Sequence, residues 1–311
     1  LRNILIFLSL VALPALAQNE MTAKAWLENM SQALQHQGYK ASMVQVQAGH
    51  IRPLVYLHDK VDNKEVAFLE YLNGPPQKAV RIDNTVTFIE HDQTPYSIFS
   101  NRIEGLWPAA FTSNLGILSH SYQFVLGGRA RIAGRPGQLV RIISKDNNRF
   151  SYRVWLDMDN FLPLRMDTVS VDKNLLQQLM VVEIGQFDTT PEILQEAIKR
   201  QWPSARVISP QKQTYHWKFT WLPKGFKVRT RDHHRLYGSR EPVEYIGLTD
   251  GLANISVYIS ESKTTELPSE LTSQNGMAIV TDRIGDAEVV VVGQAPSKTL
   301  IEIAKSLRLE N

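Results

Sequence analysis

The spacing of apolar residues in this chain switches repeatedly between a helical and a strand period, and the switches mark out its parts. The run Ile4 to Leu13 is apolar but for Ser9, follows Arg2 and precedes Pro14-Ala15-Leu16-Ala17. A short positive region, a short apolar core and an A-x-A pattern predict a secretory signal peptide over residues 1–17. The run is shorter than the roughly 20 apolar residues of a membrane-spanning helix. Next, Trp26, Met30, Ala33 and Leu34 recur at helical spacing. Thr22 is a suitable cap, Met21 and Trp26 a candidate hydrophobic staple, and Gly38 a candidate stop.

From Tyr39 to about Ile184 the period falls to two. Tyr39, Ala41 and Met43 alternate with polar partners, and Tyr122 and Phe124 share a face opposite Gln123. Asn73-Gly74-Pro75-Pro76, Asp83-Asn84 and Asp146-Asn147-Asn148 read as turns between such runs. Short strands at regular spacing predict a large antiparallel sheet curled towards a half-open barrel. The segment Ile103 to Leu118 breaks the pattern as an apolar insertion. Thr190 as cap, Pro191 in the first turn and the stripe Ile193, Leu194, Ala197, Ile198 predict a second helix that stops at Trp202-Pro203. The polar stretch 203–213 reads as a linker. Beyond it, strand-like runs at Trp217–Trp221, Lys227–Arg231, Val243–Leu248, Ala253–Ser260 and Val289–Val292 precede a helix over Pro296 to Leu307. The expected organisation is mainly β with α+β: a large domain over 18–202 with packed helices and a small α+β domain over 214–311.

Composition narrows the classes. The chain's 311 residues exceed what one core usually covers, and 43% hydrophobic residues argue against disorder. A net charge of +3, or +2 once Arg2 is removed with the leader, gives no ground for bulk nucleic-acid binding. Without cysteine, an exported chain has no disulfides, thiol nucleophiles or thiolate metal sites.

The motifs of common nucleophilic, zinc-dependent and phosphate-loop enzymes are missing: G-x-S-x-G, H-E-x-x-H and G-x-x-x-x-G-K do not occur. His91 on a strand points away from its acidic neighbours Glu90 and Asp92, and the adjacent His233 and His234 cannot share a metal. Asp157 and Asp159, followed by Asn160, read as a turn. No catalytic residue, metal site or cofactor is expected. Two segments are basic, Arg129 to Arg153 and Lys212 to Arg240, and clustered guanidinium groups favour phosphates and carboxylates. Within the second, Arg229, Arg231, His234 and Arg235 are candidates for contact with a partner or an anionic lipid, although alternate charges on a strand also describe a plain solvated face. Trp107, Phe111, Leu115, Tyr122 and Phe124 are candidates for lining an apolar ligand cavity, although core packing accounts for aromatic clusters equally well.

The run Tyr122-Gln-Phe-Val-Leu-Gly-Gly-Arg-Ala-Arg-Ile-Ala-Gly-Arg135, continued by Asp146-Asn-Asn-Arg-Phe-Ser-Tyr-Arg-Val-Trp-Leu-Asp157 and Leu162-Pro-Leu-Arg165, resembles the RseB/MucB family of periplasmic regulators of the envelope-stress factor sigma-E. Further matches are Leu72-Asn-Gly-Pro-Pro76, Trp221-Leu-Pro-Lys-Gly-Phe226, Thr249-Asp-Gly-Leu-Ala253 and Val289-Val-Val-Val-Gly293. Phe150 and Ser151 depart from the more usual Tyr and Gly, and the strand after Gly38 lacks the usual aromatic-Gly start. The resemblance implies a first domain like the lipoprotein carriers, a half-closed sheet with helices on its concave side. It implies a non-enzymatic regulator that binds the periplasmic part of a transmembrane anti-sigma factor and shields it from regulated proteolysis. Lipopolysaccharide or lipoprotein acyl chains are the implied releasing ligands. A lipid or lipoprotein carrier is the alternative, and self-association into a homo-oligomer is left open.

Overall fold

A computed structural model describes residues 21–47, 49–205, 216–234, 243–260, 269–273 and 275–310. The expected leader, most of the expected linker and Arg235 lie outside the described residues. In the first domain α1 spans Ala23–His36, followed by β1 (Tyr39–Gln47), β2 (His50–Val61), β3 (Lys64–Tyr71), β4 (Gln77–Ile82), β5 (Thr85–Glu90) and β6 (Tyr96–Phe99). Two 3-10 turns, Ala109–Thr112 and Leu115–His120, precede β7 (Tyr122–Ile132), β8 (Arg135–Ser144), β9 (Ser151–Asp157), β10 (Pro163–Val169) and β11 (Leu175–Gln186). Helix α2 covers Glu192–Lys199.

These strands form one eleven-stranded antiparallel sheet in the order β6-β5-β4-β3-β2-β1-β11-β10-β9-β8-β7. The first and last strands pair at its centre, and the edges β6 and β7 do not meet, so the barrel stays open. The link between β6 and β7 must therefore cross the sheet. That link is the apolar insertion noticed in the sequence. Its Ile103, Leu106, Trp107, Ala110, Phe111, Leu115 and Leu118 share one core with Trp26, Leu27, Met30 and Leu34 of α1 and the inward residues of the sheet. Helix α2 covers part of the other face, placing Leu194 and Ala197 on Leu57, Val66, Phe68 and Val80.

The first helix starts as its sequence predicts, with the Thr22 hydroxyl accepting from the Ala25 amide at 3.2 Å. Two terminal details differ. Met21 is partly exposed, and its sulfur accepts from the Asn29 side-chain amide at 3.3 Å. Helix α1 ends in extended backbone at Gln37, and Gly38 serves close approach instead: a Cβ there would lie 2.7 Å from Asp59 Oδ1. Thr190 does not cap α2. It donates its hydroxyl to Asp59 at 2.5 Å, and Pro191 takes the cap position without a side-chain bond.

The second domain has β12 (Trp217–Phe219), β13 (Lys227–His234), β14 (Val243–Thr249), β15 (Asn254–Ser260), β16 (Glu270–Thr272), β17 (Met277–Ile284), β18 (Ala287–Gln294), α3 (Ser297–Ser306) and β19 (Leu307–Leu309). Six of the strands form an antiparallel sheet in the order β13-β14-β15-β18-β17-β16. Leu300, Ile303, Ala304 and Leu307 pack on Ile255, Val257, Val289 and Val291, as the spacing predicts. Strands β12 and β19 pair, tying the two ends of the domain together.

Candidate functional site

The two domains meet along a seam to which two turns of the second contribute most of the buried polar contacts among the described residues. The Lys224-Gly225-Phe226 turn lies against Ser121, whose hydroxyl donates to the Lys224 carbonyl at 2.8 Å. The turn from Thr249 to Ala253 lies against the crossing segment, where the Ala110 amide donates to the Gly251 carbonyl at 3.0 Å. Gly251 has φ +99, and a Cβ there would meet Ile117 Cδ1 at 2.8 Å and Ala110 Cβ at 3.2 Å. Gly225 has φ +90 and sits directly on the Ser121 side chain. Both positions demand glycine for backbone and for space. Leu252 completes the apolar contact by joining the core of the first domain.

At the centre of the seam Arg149 is fully buried. It donates to Asp250 Oδ2 through Nη1 at 2.7 Å, to the two Asp146 oxygens at 3.1 Å each, and to the Lys224 carbonyl at 2.6 Å. Its guanidinium carbon is 5.0 Å from the Phe226 ring centroid and 5.6 Å from that of Tyr122. Asp250, also fully buried, accepts the Tyr122 hydroxyl at 2.8 Å. Its other oxygen caps the amides of Leu252 at 3.0 Å and Ala253 at 2.8 Å. Burial opposes the charge on Arg149, but the Asp146 hydrogen bonds and the Asp250 carboxylate outweigh it and hold the pKa above the ordinary arginine value. Burial, then Tyr152 and Asp250, push the Tyr122 phenol well above its usual range, so it remains a donor. A buried pair this well hydrogen-bonded fixes geometry, because removing either partner strands a charge away from water.

A second polar cluster lies inside the first domain. Arg81 pairs with Glu65 and donates to the Asn101 carbonyl at 2.8 Å. His58 approaches Glu65 at 3.1 Å and the Gln37 carbonyl at 2.9 Å. Burial pushes the Glu65 pKa up, but the hydrogen bonds from His58 and Arg81 prevail and hold it at about 2. Burial raises the Tyr56 phenol to about 12. Glu65, Arg81, Tyr39, Tyr56 and Trp107 line a cavity of about 210 Å³ between α1 and the crossing segment.

The residues singled out in the sequence therefore scatter. Trp107 lines that cavity with its indole N–H buried beside the Tyr39 phenol. Phe111 and Leu115 are buried in the core, with Phe124 packed against it partly exposed, while Tyr122 reaches into the seam. Arg229 lies on the exposed part of β13, with Nη1 3.8 Å from Glu104 of the first domain. Arg231 is half-buried and donates to the Trp217 carbonyl at 2.7 Å. His234 ends β13. The basic run from Arg129 to Arg153 divides: Arg135 pairs with the buried Asp157 and with Asp159, and Arg149 enters the seam. The Asp157 turn is thus an ion-pair site, which its spacing in the sequence did not reveal. Sequence reasoning missed Arg149, Asp250, Glu65, Arg81 and His58 as a functional set. Arg149 and Asp250 both stood inside the segments that carry the family resemblance.

Taken together, the open sheet, its filled concave face and the charged seam define a two-domain β protein organised for binding, with no helix among the described residues long and apolar enough to cross a membrane. Residues 22–205 match the model of the MucB/RseB N-terminal domain and residues 211–308 that of the MucB/RseB C-terminal domain, and the chain belongs to this family. It is 30% identical to the sigma-E factor regulatory protein RseB of Haemophilus influenzae over 97% of this chain and 96% of that one. It is 28% identical to RseB of Escherichia coli K12, covering 91% and 90%, and 26% identical to the sigma factor AlgU regulatory protein MucB of Pseudomonas aeruginosa, covering 97% and 95%. Among solved structures it is similar to MucB in complex with MucA(peri), with TM-score 0.72 and 23% identity over 93% of this chain and 99% of that one.

Proposed function

We propose that this chain is a periplasmic regulator that binds the periplasmic segment of a membrane-anchored anti-sigma factor, shields it from the protease that starts its degradation, and so restrains a sigma-E-type envelope-stress response. The carrying observation is that the family match runs through both domains, with the seam residues Arg149 and Asp250 on its two sides. A regulator needs both domains held in one orientation, and the buried charges of the seam hold them. Those charges are committed to one another, which suits a fixed interface better than proton transfer, so the chain works by binding. The leader over 1–17 would place it in the periplasm. Arg229, Arg231, His234 and Arg235 are proposed as the charged contact surface, because Arg229 is exposed and β13 is the last strand of its sheet among the described residues. The releasing ligand is proposed to be lipopolysaccharide or a lipoprotein, with a polar group of it held at the cavity beside Trp107, Glu65 and Arg81.

The carrier reading is weaker. Trp26, Leu27, Met30, Phe111 and Leu118 already fill the concave face that an acyl chain would need. The test is calorimetric titration of the chain from Gln18 with the periplasmic segment of the anti-sigma factor from the same organism, repeated with lipopolysaccharide. Binding weakened by lipopolysaccharide supports both the partner and the signal. Lack of binding, together with lipid transfer between vesicles, would replace the regulator by the carrier.

A further inference from the structure

On the outer face of the first sheet, Arg141 of β8 stands directly opposite Arg153 of β9. Like charges at facing positions of an antiparallel pair repel and cost stability. Among the described residues neither arginine has a carboxylate within ion-pair distance. The next position in register is Asp167 of β10, but its oxygens are taken by Arg165 at 2.8 and 2.9 Å and by Gln178 at 3.0 Å. Both arginines line a cleft of about 280 Å³, together with Lys173, Asp146 and the apolar Val169 and Val171. Asp146, the carboxylate on the rim, is held by Arg149 at 3.1 Å and does not neutralise the pair.

We infer that this cleft is a binding site for a phosphate-bearing ligand, gripped by Arg141 and Arg153 with Lys173 at the edge. Two guanidinium forks facing each other across neighbouring strands suit one oxyanion bound from both sides. A phosphomonoester, with a charge near −2 at neutral pH, offsets both arginines, whereas a single carboxylate leaves one uncompensated. Val169 and Val171 offer the body of the ligand an apolar wall. The inner wall is the Asp146–Arg149 loop, so an occupant sits one residue layer from the seam.

The full chain is titrated calorimetrically with inorganic phosphate at low salt, and separately with phosphatidylcholine vesicles carrying phosphatidic acid. Arg141→Gln and Arg153→Gln should each weaken binding by at least about tenfold, Arg153→Lys should fall between, and Lys60→Gln on the far side should change nothing. Phosphate binding that depends on the pair identifies free phosphate as sufficient; vesicle binding alone with the same dependence identifies a lipid headgroup. Failure of both probes to bind, or binding by both glutamine variants as tight as by the unaltered chain, overturns the site. The thermal midpoint of R141Q/R153Q without phosphate should equal or exceed that of the unaltered chain, since a repulsion is removed, so lost binding is distinguishable from lost fold. Neither probe contains an anti-sigma segment, so this site is decided independently of the anti-sigma reading.

Discussion

Two buried arginines in this protein make nearly the same bonds and do different work. Arg81 pairs with Glu65 inside one sheet, with His58 sharing the carboxylate. Arg149 pairs with Asp250 across two domains, a separation of 101 residues in sequence. The first cluster joins groups that neighbouring strands already hold together, so it adds to the stability of a domain formed by other means. The second joins groups that nothing local brings together, so it sets the relation between domains. Equal hydrogen bonding thus has unequal consequences, decided by what else holds the partners in place.

The sharpest way to break this contrast is Asp250→Ala. It removes one of the two carboxylates on the buried Arg149, removes the acceptor of Tyr122 and uncaps two amides, and should cost about 3–5 kcal/mol. Scanning calorimetry should show one unfolding transition splitting into two as the domains uncouple; a uniform downward shift would place Asp250 in the stability of a single domain instead. Glu65→Gln should cost about 2–3 kcal/mol, seen as a lower urea midpoint of the first domain only, with the second domain unmoved.

The same residue has a pH signature. The folded pKa of Glu65 is held at about 2, below the ordinary 4.5, so its contribution is complete above pH 4.5 and is lost as pH falls towards 2. Urea midpoints between pH 5 and 2 should fall for the unaltered chain and lose part of that slope in Glu65→Gln; identical slopes would contradict the pairing. Gly251→Ala should cost about 1–2 kcal/mol, through its positive φ and the approach of Ile117, and should loosen the seam rather than either sheet. The smallest effect is Thr22→Ala, about 1 kcal/mol in thermal melts from loss of one helix cap.

Much of the architecture is legible in the sequence because it is local. Period-two alternation at Tyr39, Ala41 and Met43, and helical spacing at Leu300, Ile303 and Leu307, report burial by neighbouring positions alone. The apolar insertion between Ile103 and Leu118 is visible as a break in pattern, but its path over the concave face follows only from the placing of β6 and β7 at opposite edges. The strands Glu270–Thr272 and Met277–Ile284 escaped notice, the first because three exposed residues carry no periodic signal, the second because its alternation at Ala278 and Val280 gives way to the polar Thr281-Asp282-Arg283. The seam was illegible as chemistry. Arg149 looks like one more charge in a basic run until the fold brings Asp250 to it, and Thr190 looks like a cap until Asp59 takes its hydroxyl. Only the family-like segments around Arg149 and Asp250 marked them in advance.

The central claim is that the domains bind the anti-sigma segment as one unit held by the Arg149–Asp250 pair. The most direct measurement is a calorimetric titration of that segment into the unaltered chain and into Asp250→Asn, with circular dichroism confirming both folded. The account predicts tight binding by the unaltered chain and binding at least about tenfold weaker in the variant. Equal affinity in the two proteins would contradict it.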